Sequence, residues 1–342
     1  MHTPETDQRL KIFATCPASA LAQPETSIRQ LADIARWSEE AGCEGILVFS
    51  DNRQLDPWLI SQLIIEATER LCPLVAIQPI YMHPYTVAKM IASFAFLHGR
   101  RLYLNMVAGG FKNDLAALND NTPHDDRYVR LVEYTTIIQS LLRTADPVSI
   151  DGRYYRVNNL RLTPRLPSDL LPGVLVSGSS EAGMDAARQL EATAVEYPKP
   201  PQEYASSAPA GIASRGIRIG IIARPDEADA WSIARKRFPE DRKGQITHEL
   251  AMKVSDSHWH QQLSELGEHA SSAVTPYWLA PFQNYKATCP YLVGSCERVA
   301  EEVAQYLAIG YRTFILDEPA SAEDLRYAGT VIERALEHRA AA

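Results

Sequence analysis

Short apolar runs alternate with amphipathic stretches along almost the whole chain, and this rhythm restricts the fold more than any other feature. LKIFATCP (10–17), EGILVFS (44–50), PLVAIQP (73–79), RLYLNMVAG (101–109), GVLVSG (173–178), ATAVEYP (192–198), IRIGIIARP (217–225) and YRTFILDEP (311–319) read as eight strands. They are nearly continuous in apolar residues, as strands are when both faces of a sheet are covered. Helical stretches follow at 27–43, 57–69, 85–99, 128–142, 180–190, 226–238, 296–310 and 322–336. In the first, Ile28, Leu31, Ile34 and Ala35 fall at helical spacing and Gly42 marks the end. Pro57 opens the second and Gly99 closes the third. VSIDGRYYRV (148–157) reads as a β-hairpin turning at Asp151-Gly152.

Strand and helix alternating eight times predict an α/β chain, one (β/α)8 TIM barrel forming a single domain over residues 1–342. A doubly wound open sheet is the alternative, but no G-x-G-x-x-G follows the first strand. Residues 239–292 break the rhythm. They are polar with scattered Trp and His, and read as a helical insertion plus a mobile loop before the last strand. PKPPQEYASSAPAG, after the sixth strand, is Pro- and Ala-rich and only partly helical.

Hydrophobic residues make up 46% of the 342 and charged ones 22%, which excludes disordered and collagen-like chains. The net charge is −8 and the basic residues are scattered, which argues against a nucleic-acid partner. No apolar run reaches the length of a membrane span, and the polar residues 1–9 carry no secretory signal, so a cytoplasmic protein is expected. The five cysteines include no C-x-x-C pair, so reduced thiols are expected and structural zinc is not. His258 and His260 stand two apart, a spacing that does not share a helical face, and no metal site is expected there. G-x-S-x-G, H-E-x-x-H and Walker motifs do not occur.

A barrel places its site at the carboxyl ends of the strands. The polar residues there are Thr15 and Cys16; Ser50, Asp51, Asn52 and Gln54; Gln78; Asn105; Ser177 to Ser180; Glu196 and Tyr197; Arg218 and Arg224; and Asp317 and Glu318. Cys16 reads as a buried thiol rather than a nucleophile. In SGSSEAG (177–183) a strand runs through Ser177, Gly178, Ser179 and Ser180 into a helix. Amides and hydroxyls at a helix start suit a phosphate dianion; a plain serine N-cap is the other reading. In NMVAGG (105–110), Asn105 can donate to and accept from a planar heterocycle, and the glycines allow close approach. Arg218 lies among apolar strand residues, where it needs an anion or carbonyl: a substrate, a cofactor phosphate or a structural carboxylate.

Taken together, PLVAIQPIYMHPYTVAKMIASF (73–94), RRLYLNMVAGG (100–110), DDRYVRLVEY (125–134), DGRYYRVNNL (151–160), SGSSEAGMDAA (177–187), EYPKPPQEY (196–204) and LVGSCERVAEEVAQYLAIGYRTFIL (292–316) resemble the bacterial luciferase-like flavin monooxygenases, within them the alkanesulfonate monooxygenase branch. The resemblance implies reduced FMN supplied by a separate flavin reductase, O2 as co-substrate, and a C4a-(hydro)peroxyflavin that oxygenates a small organic substrate. It implies that Ser177, Gly178, Ser179 and Ser180 hold the FMN phosphate with Tyr128 nearby. Asn105 contacts the isoalloxazine, and the backbone of Ala76, Ile77 and Gln78 supports the ring, often through a non-prolyl cis peptide. Arg218 matches the active-site arginine of the family. The substrate is free or carrier-tethered, and apolar helices such as WLISQLIIEA suit a homodimer or homotetramer.

The chain departs from that branch in its substrate-handling positions. The cysteine after the second strand is Gln54, the histidine two residues past the arginine is Gly220, and the tyrosine and histidine after the eighth strand are Pro319 and Ser321. Lys286 is the nearest cation to the mobile-loop arginine. A substrate other than a sulfonate is expected, with Gln54, Asn105 and Arg218 as catalytic candidates and no histidine in the pocket. The alternatives are a non-catalytic flavin-binding barrel and an F420-dependent oxidoreductase on the same fold.

Overall fold

The computed structural model describes residues 9–19, 24–204, 212, 214–253 and 275–341. The N-terminal octapeptide, the 205–211 part of the Pro/Ala-rich stretch, and His258 and His260 lie outside the described residues.

Eight parallel strands close on themselves: β1 (Lys11–Thr15), β2 (Gly45–Val48), β3 (Cys72–Ile77), β4 (Tyr103–Val107), β7 (Gly173–Ser177), β8 (Thr193–Glu196), β9 (Ser214–Arg224) and β12 (Tyr311–Leu316). β9 pairs both with β8 (Val195 opposite Gly216) and with β12 (Arg218 opposite Ile315), and β12 returns to β1, so this ring has no free edge. The expected (β/α)8 TIM barrel is the fold observed.

Side chains alternate inward and outward along each strand. Phe13, Leu47, Leu74, Tyr103, Leu175, Val195 and Ile315 come from seven staves and fill the interior; Phe13 meets the Tyr103 ring edge-on at 5.0 Å. Residues of opposite parity, such as Ile46, Leu104 and Val176, point outward into the cores under the helices. Those helices include α1 (Pro24–Glu40), α2 (Pro57–Ala67), α3 (Pro84–His98), α5 (His124–Arg143), α6 (Glu181–Gln189), α7 (Glu227–Arg237), α10 (Cys296–Ile309) and α11 (Ala322–Ala341). Local chemistry sets their ends. Asp56 accepts from the amides of Trp58 and Leu59 and starts α2 just before Pro57, while Gly99, at φ +60°, ends α3.

Several elements differ from the sequence reading. A short helix α4 (Lys112–Ala117) follows the Gly109-Gly110 pair. The hairpin β5 (Val148–Asp151) and β6 (Arg156–Leu160) turns over Gly152–Tyr155 rather than at Asp151-Gly152. The Glu133 carboxylate draws the turn out by accepting from the amides of Arg153, Tyr154 and Tyr155. Within the insertion, α8 (Arg242–Lys253) is helical as expected, but the segment after it is partly sheet: β10 (Tyr277–Trp278), the short helix α9 (Ala280–Gln283) and β11 (Tyr291–Ser295). β11 pairs in parallel with the upper half of β9, from Gly220 to Arg224. β9 is 11 residues long, so it serves as a barrel stave below and carries the insertion above.

Candidate active site

Inward parity carried one step beyond the strand ends brings Gln78, Asn105, Ser177, Tyr197 and Arg218 around one opening. They share a cavity of about 360 Å³ with Phe49, Gln54 and Ala76. A smaller chamber joins it at Ser50, Gln54, Ala76 and Gln78 and runs out towards Trp58 and Tyr81.

The Ser177 hydroxyl donates to Asn105 Oδ1 at 2.7 Å, tying the end of β7 to β4. Gly178 follows, packed so tightly that a Cβ there would overlap the Tyr128 hydroxyl. Ser180 is the N-cap of α6, its Oγ accepting from the Gly183 amide at 3.2 Å. Ser179 Oγ is buried and has no hydrogen-bond partner among the described residues. The Tyr128 hydroxyl lies 3.5 Å from the Ser177 carbonyl, and burial raises its pKa although a hydrogen bond with the Ser180 side chain works the other way. The turn is thus an N-cap and also a cup: Ser180 caps the helix, and Ser179 before it holds its hydroxyl beside the helix N-terminus.

Arg218 projects inward from β9, flanked two residues away on the same face by Gly216, where a Cβ would press on Thr313, and by Gly220. Its Nη2 donates to Asp317 Oδ1 at 3.2 Å and its carbon lies 4.8 Å from the Phe49 ring centre. Tyr291 donates to Asp317 Oδ2 at 2.8 Å, and Cys289 shares the same carboxylate. Burial opposes the charge on Arg218, but Tyr197 and Asp317 outweigh it and raise its pKa above the ordinary arginine value. Burial also pushes up the pKa values of Tyr197, Cys289 and Tyr291. The guanidinium is therefore a fixed cation in the cavity wall, and these hydroxyls and the thiol stay protonated near neutrality.

Gln78 Nε2 donates to the Ser50 carbonyl at 2.8 Å. Gln54 lines the cavity, with its Oε1 accepting from Ser19 N at 2.7 Å and Ser19 Oγ at 3.0 Å. Ile77 turns its side chain outward into the core under the helices, so only its backbone borders the barrel interior. The peptides over Ala76–Gln78 are trans; among the described residues the cis bond is Thr163–Pro164, which corrects the expected cis peptide under the ring.

Other strand-end residues do not join the cavity. Glu196 has outward parity and pairs with Arg215 at 2.8 Å and with Tyr311. Arg224 pairs with Asp324 at 2.8 Å beneath α11. Thr15 donates to the Leu316 carbonyl at 2.6 Å. Cys16 is buried as expected, its thiol pushed up to about 12 mainly by burial.

The insertion supplies what strand-end reasoning missed. His248, Phe282, Tyr285 and Thr288 line the cavity. His248 is 7% exposed, its ring edge-on to Phe282 at 4.6 Å, and it corrects the expectation of a pocket without histidine. Strand periodicity cannot find a residue that reaches the site from an insertion. Lys286 also lines the cavity and is held to Asp241 at 2.7 Å. At Gly220 a Cβ would fall inside the Tyr291 ring, so no side chain fits there while Tyr291 keeps its place.

Among known proteins, the sequence profile described as "Luciferase-like monooxygenase" matches residues 9–313. The 4-(gamma-L-glutamylamino)butanoyl-[BtrI acyl-carrier protein] monooxygenase BtrO of Niallia circulans is 36% identical over 306 residues, covering 88% of this chain and 89% of that protein. Two solved structures share the fold at 16% identity. EDTA monooxygenase (EmoA) from Chelativorans sp. BNC1 has a TM-score of 0.69 over 96% of this chain and 94% of its own. Riboflavin lyase (RcaE), solved with modified FMN and riboflavin, has a TM-score of 0.73 over 98% of this chain and 92% of its own. By its profile match and its relationship to BtrO, the chain belongs to the luciferase-like monooxygenase family.

Proposed function

We propose that the chain is a two-component, FMN-dependent monooxygenase. It takes FMNH2 from a separate flavin reductase, uses O2, and transfers one oxygen atom to a small organic substrate other than a sulfonate. The observation that carries this reading is the Ser177–Ser180 turn, with its buried Ser179 hydroxyl lacking a partner among the described residues at the start of α6, beside the cavity of Asn105 and Arg218. A phosphate dianion fits that donor set: hydroxyls of Ser179 and Tyr128, amides at a helix N-terminus, and no carboxylate among the four turn residues.

In this reading Ser177, Gly178, Ser179, Ser180 and Tyr128 hold the phosphate. Asn105 addresses the polar edge of the ring, and the backbone of Ala76, Ile77 and Gln78 forms its support. Reduced flavin supplies the two electrons that O2 requires. The chain's own residues orient and seclude. Phe49, Phe282 and Tyr285 exclude water, while Gln54 and Arg218 present a donor amide and a fixed positive charge to the substrate.

The relative from Niallia circulans acts on an acyl group borne by an acyl-carrier protein, and we extend a carrier-tethered substrate to this chain. We further propose a cytoplasmic homodimer or homotetramer. Leu59 of α2 and Phe96 and Leu97 of α3 are each about 70% exposed on helices that pack together, as the 6.1 Å Trp58–Phe94 ring contact shows.

Equilibrium titration with FMN, followed by 18O2-dependent turnover with a flavin reductase and NADH, tests the proposal. Micromolar FMN binding that Ser179→Ala weakens by about tenfold supports it. Absence of FMN binding, or binding indifferent to Ser179, refutes it.

A further inference from the structure

Among the described residues the cavity contains one side chain whose ordinary pKa lies near neutrality, and strand-end chemistry does not use it. His248 lies in α8, and the reason it faces the cavity is visible in the helix. At Gly244 a Cβ would overlap the Asn284 carbonyl oxygen, so α8 presses directly on the chain just after α9. Gln245 Nε2 donates to Asn284 Oδ1 at 3.0 Å. His248 is four residues beyond Gly244 and three beyond Gln245, on the same helical face. That face directs it past Phe282 to the cavity, where Asn105, Arg218 and Gln54 also converge.

Around it stand guanidinium, ammonium, carboxylate and phenol groups. Arg218 is paired with Asp317, and Lys286 with Asp241. Tyr197 is held protonated by burial. Tyr285 stands beside the imidazole at 6.4 Å, while Asp51, which accepts from the Arg53 and Gln54 amides, and Arg53 line the wall of the second strand. An imidazole is the one of these groups suited to give and regain a proton near pH 7.

We propose that His248 is the proton relay of the cavity, passing one of the two hydrogens that the reduced flavin gives up to the reduced oxygen, which leaves as water or, without organic substrate, as hydrogen peroxide. The inference rests on the FMN reading above. The balance is substrate + O2 + FMNH2 → oxygenated substrate + FMN + H2O. One oxygen atom bonds to the substrate, the O–O bond breaks, and the other atom leaves as water with both hydrogens. The imidazole takes up one proton for each it delivers and ends as it began. Without organic substrate the same balance gives FMNH2 + O2 → FMN + H2O2, and that reaction provides the probe.

The full-length protein is mixed with photoreduced FMN and then with O2 across pH 5 to 9, as wild type and as His248→Gln. The wild-type rate of FMN reoxidation is expected to depend on a single ionisation within this range. His248→Gln is expected to lose that step and to run roughly 10²-fold slower on the acid side, with FMN affinity within about twofold of wild type. A retained pH step with FMN affinity intact overturns the relay and leaves the FMN reading standing. Failure of the wild type to bind FMN overturns both. Imidazole NMR of the wild type gives an independent readout without turnover: the His248 resonances should move when oxidised FMN is added. Resonances indifferent to bound FMN refute the proposal even if the variant fails to fold.

Discussion

Adding one methyl group, Gly178→Ala, interrogates the proposed phosphate cup directly. The new Cβ would overlap the Tyr128 hydroxyl and lie 3.0 Å from Cζ and 3.2 Å from Cε1 of the same ring. Non-bonded atoms settle near ~3.5 Å, so the ring or the turn must shift by about 1 Å. The ring has little freedom: Tyr128 is 8% exposed, and the His124 ring stands 5.3 Å from it. Overpacking of this kind costs about 1–3 kcal/mol, which corresponds to a fall in Tm of roughly 2–10 °C for a large domain. If the turn shifts instead, the Ser179 hydroxyl and the amides at the start of α6 leave their positions. Losing one hydrogen bond to a charged phosphate costs about 1.5–3 kcal/mol, or roughly 10- to 150-fold in Kd for FMN. Thermal melting and FMN fluorescence titration read the two outcomes separately. Tyr128→Phe removes the overlapped oxygen, so the Gly178→Ala/Tyr128→Phe double variant should recover most of the lost Tm. Gly178→Ala with wild-type Tm and Kd, or a double variant no more stable than the single, would refute the reasoning.

Other consequences are open to direct measurement. Arg218→Met leaves the half-buried Asp317 carboxylate without its cation, held by Tyr291 and Cys289, and should lower urea stability by about 1–3 kcal/mol, while Arg218→Met/Asp317→Leu should regain much of it; equal loss in both would count against the pair. Asp120 is half-buried, yet hydrogen bonds from Arg130 and Thr122 override that burial and lower its pKa to about 2. A carboxylate lowered in the folded state stabilises above its ordinary range and loses that contribution as pH falls through its folded value. The stability deficit of Arg130→Gln should therefore be full above about pH 4 and shrink towards pH 2; a deficit constant over that range would contradict it. Leu59→Glu with Phe96→Glu should convert the proposed homodimer or homotetramer to monomers in sedimentation velocity; a sedimentation coefficient unchanged from wild type would count against that interface.

The eight staves were legible because each is a short apolar run bounded by helix signals, and a closed parallel sheet demands that composition. Ser177 and Asn105 were legible as polar residues where apolar strands end, and Arg218 as a charge at alternate spacing within an apolar strand. Parity also separates Tyr197, in the cavity, from Glu196, which pairs with Arg215 outside it. β11 was not legible. Its five residues YLVGS adjoin a helix in a segment without the barrel rhythm, and their partner strand β9 is some 70 residues away in sequence. His248 escaped because its helix owes its orientation to Gly244 and Asn284, a contact across 40 residues that no local pattern encodes. The Asp317 partner of Arg218 was visible only as a strand-end acid; their pairing depends on the register of β12 against β9.

The Tyr291 ring above Gly220 constrains the order in which this pocket can be rewritten. A histidine cannot be introduced at 220 while the ring is present, and removing the ring withdraws the hydroxyl that steadies Asp317 and, through it, Arg218. Saturating position 220 alone should yield only casualties, whereas a combinatorial library spanning 220, 291 and 317 can reach functional histidine variants. The three positions form one epistatic unit, and any transplant of another relative's specificity has to move them as a block.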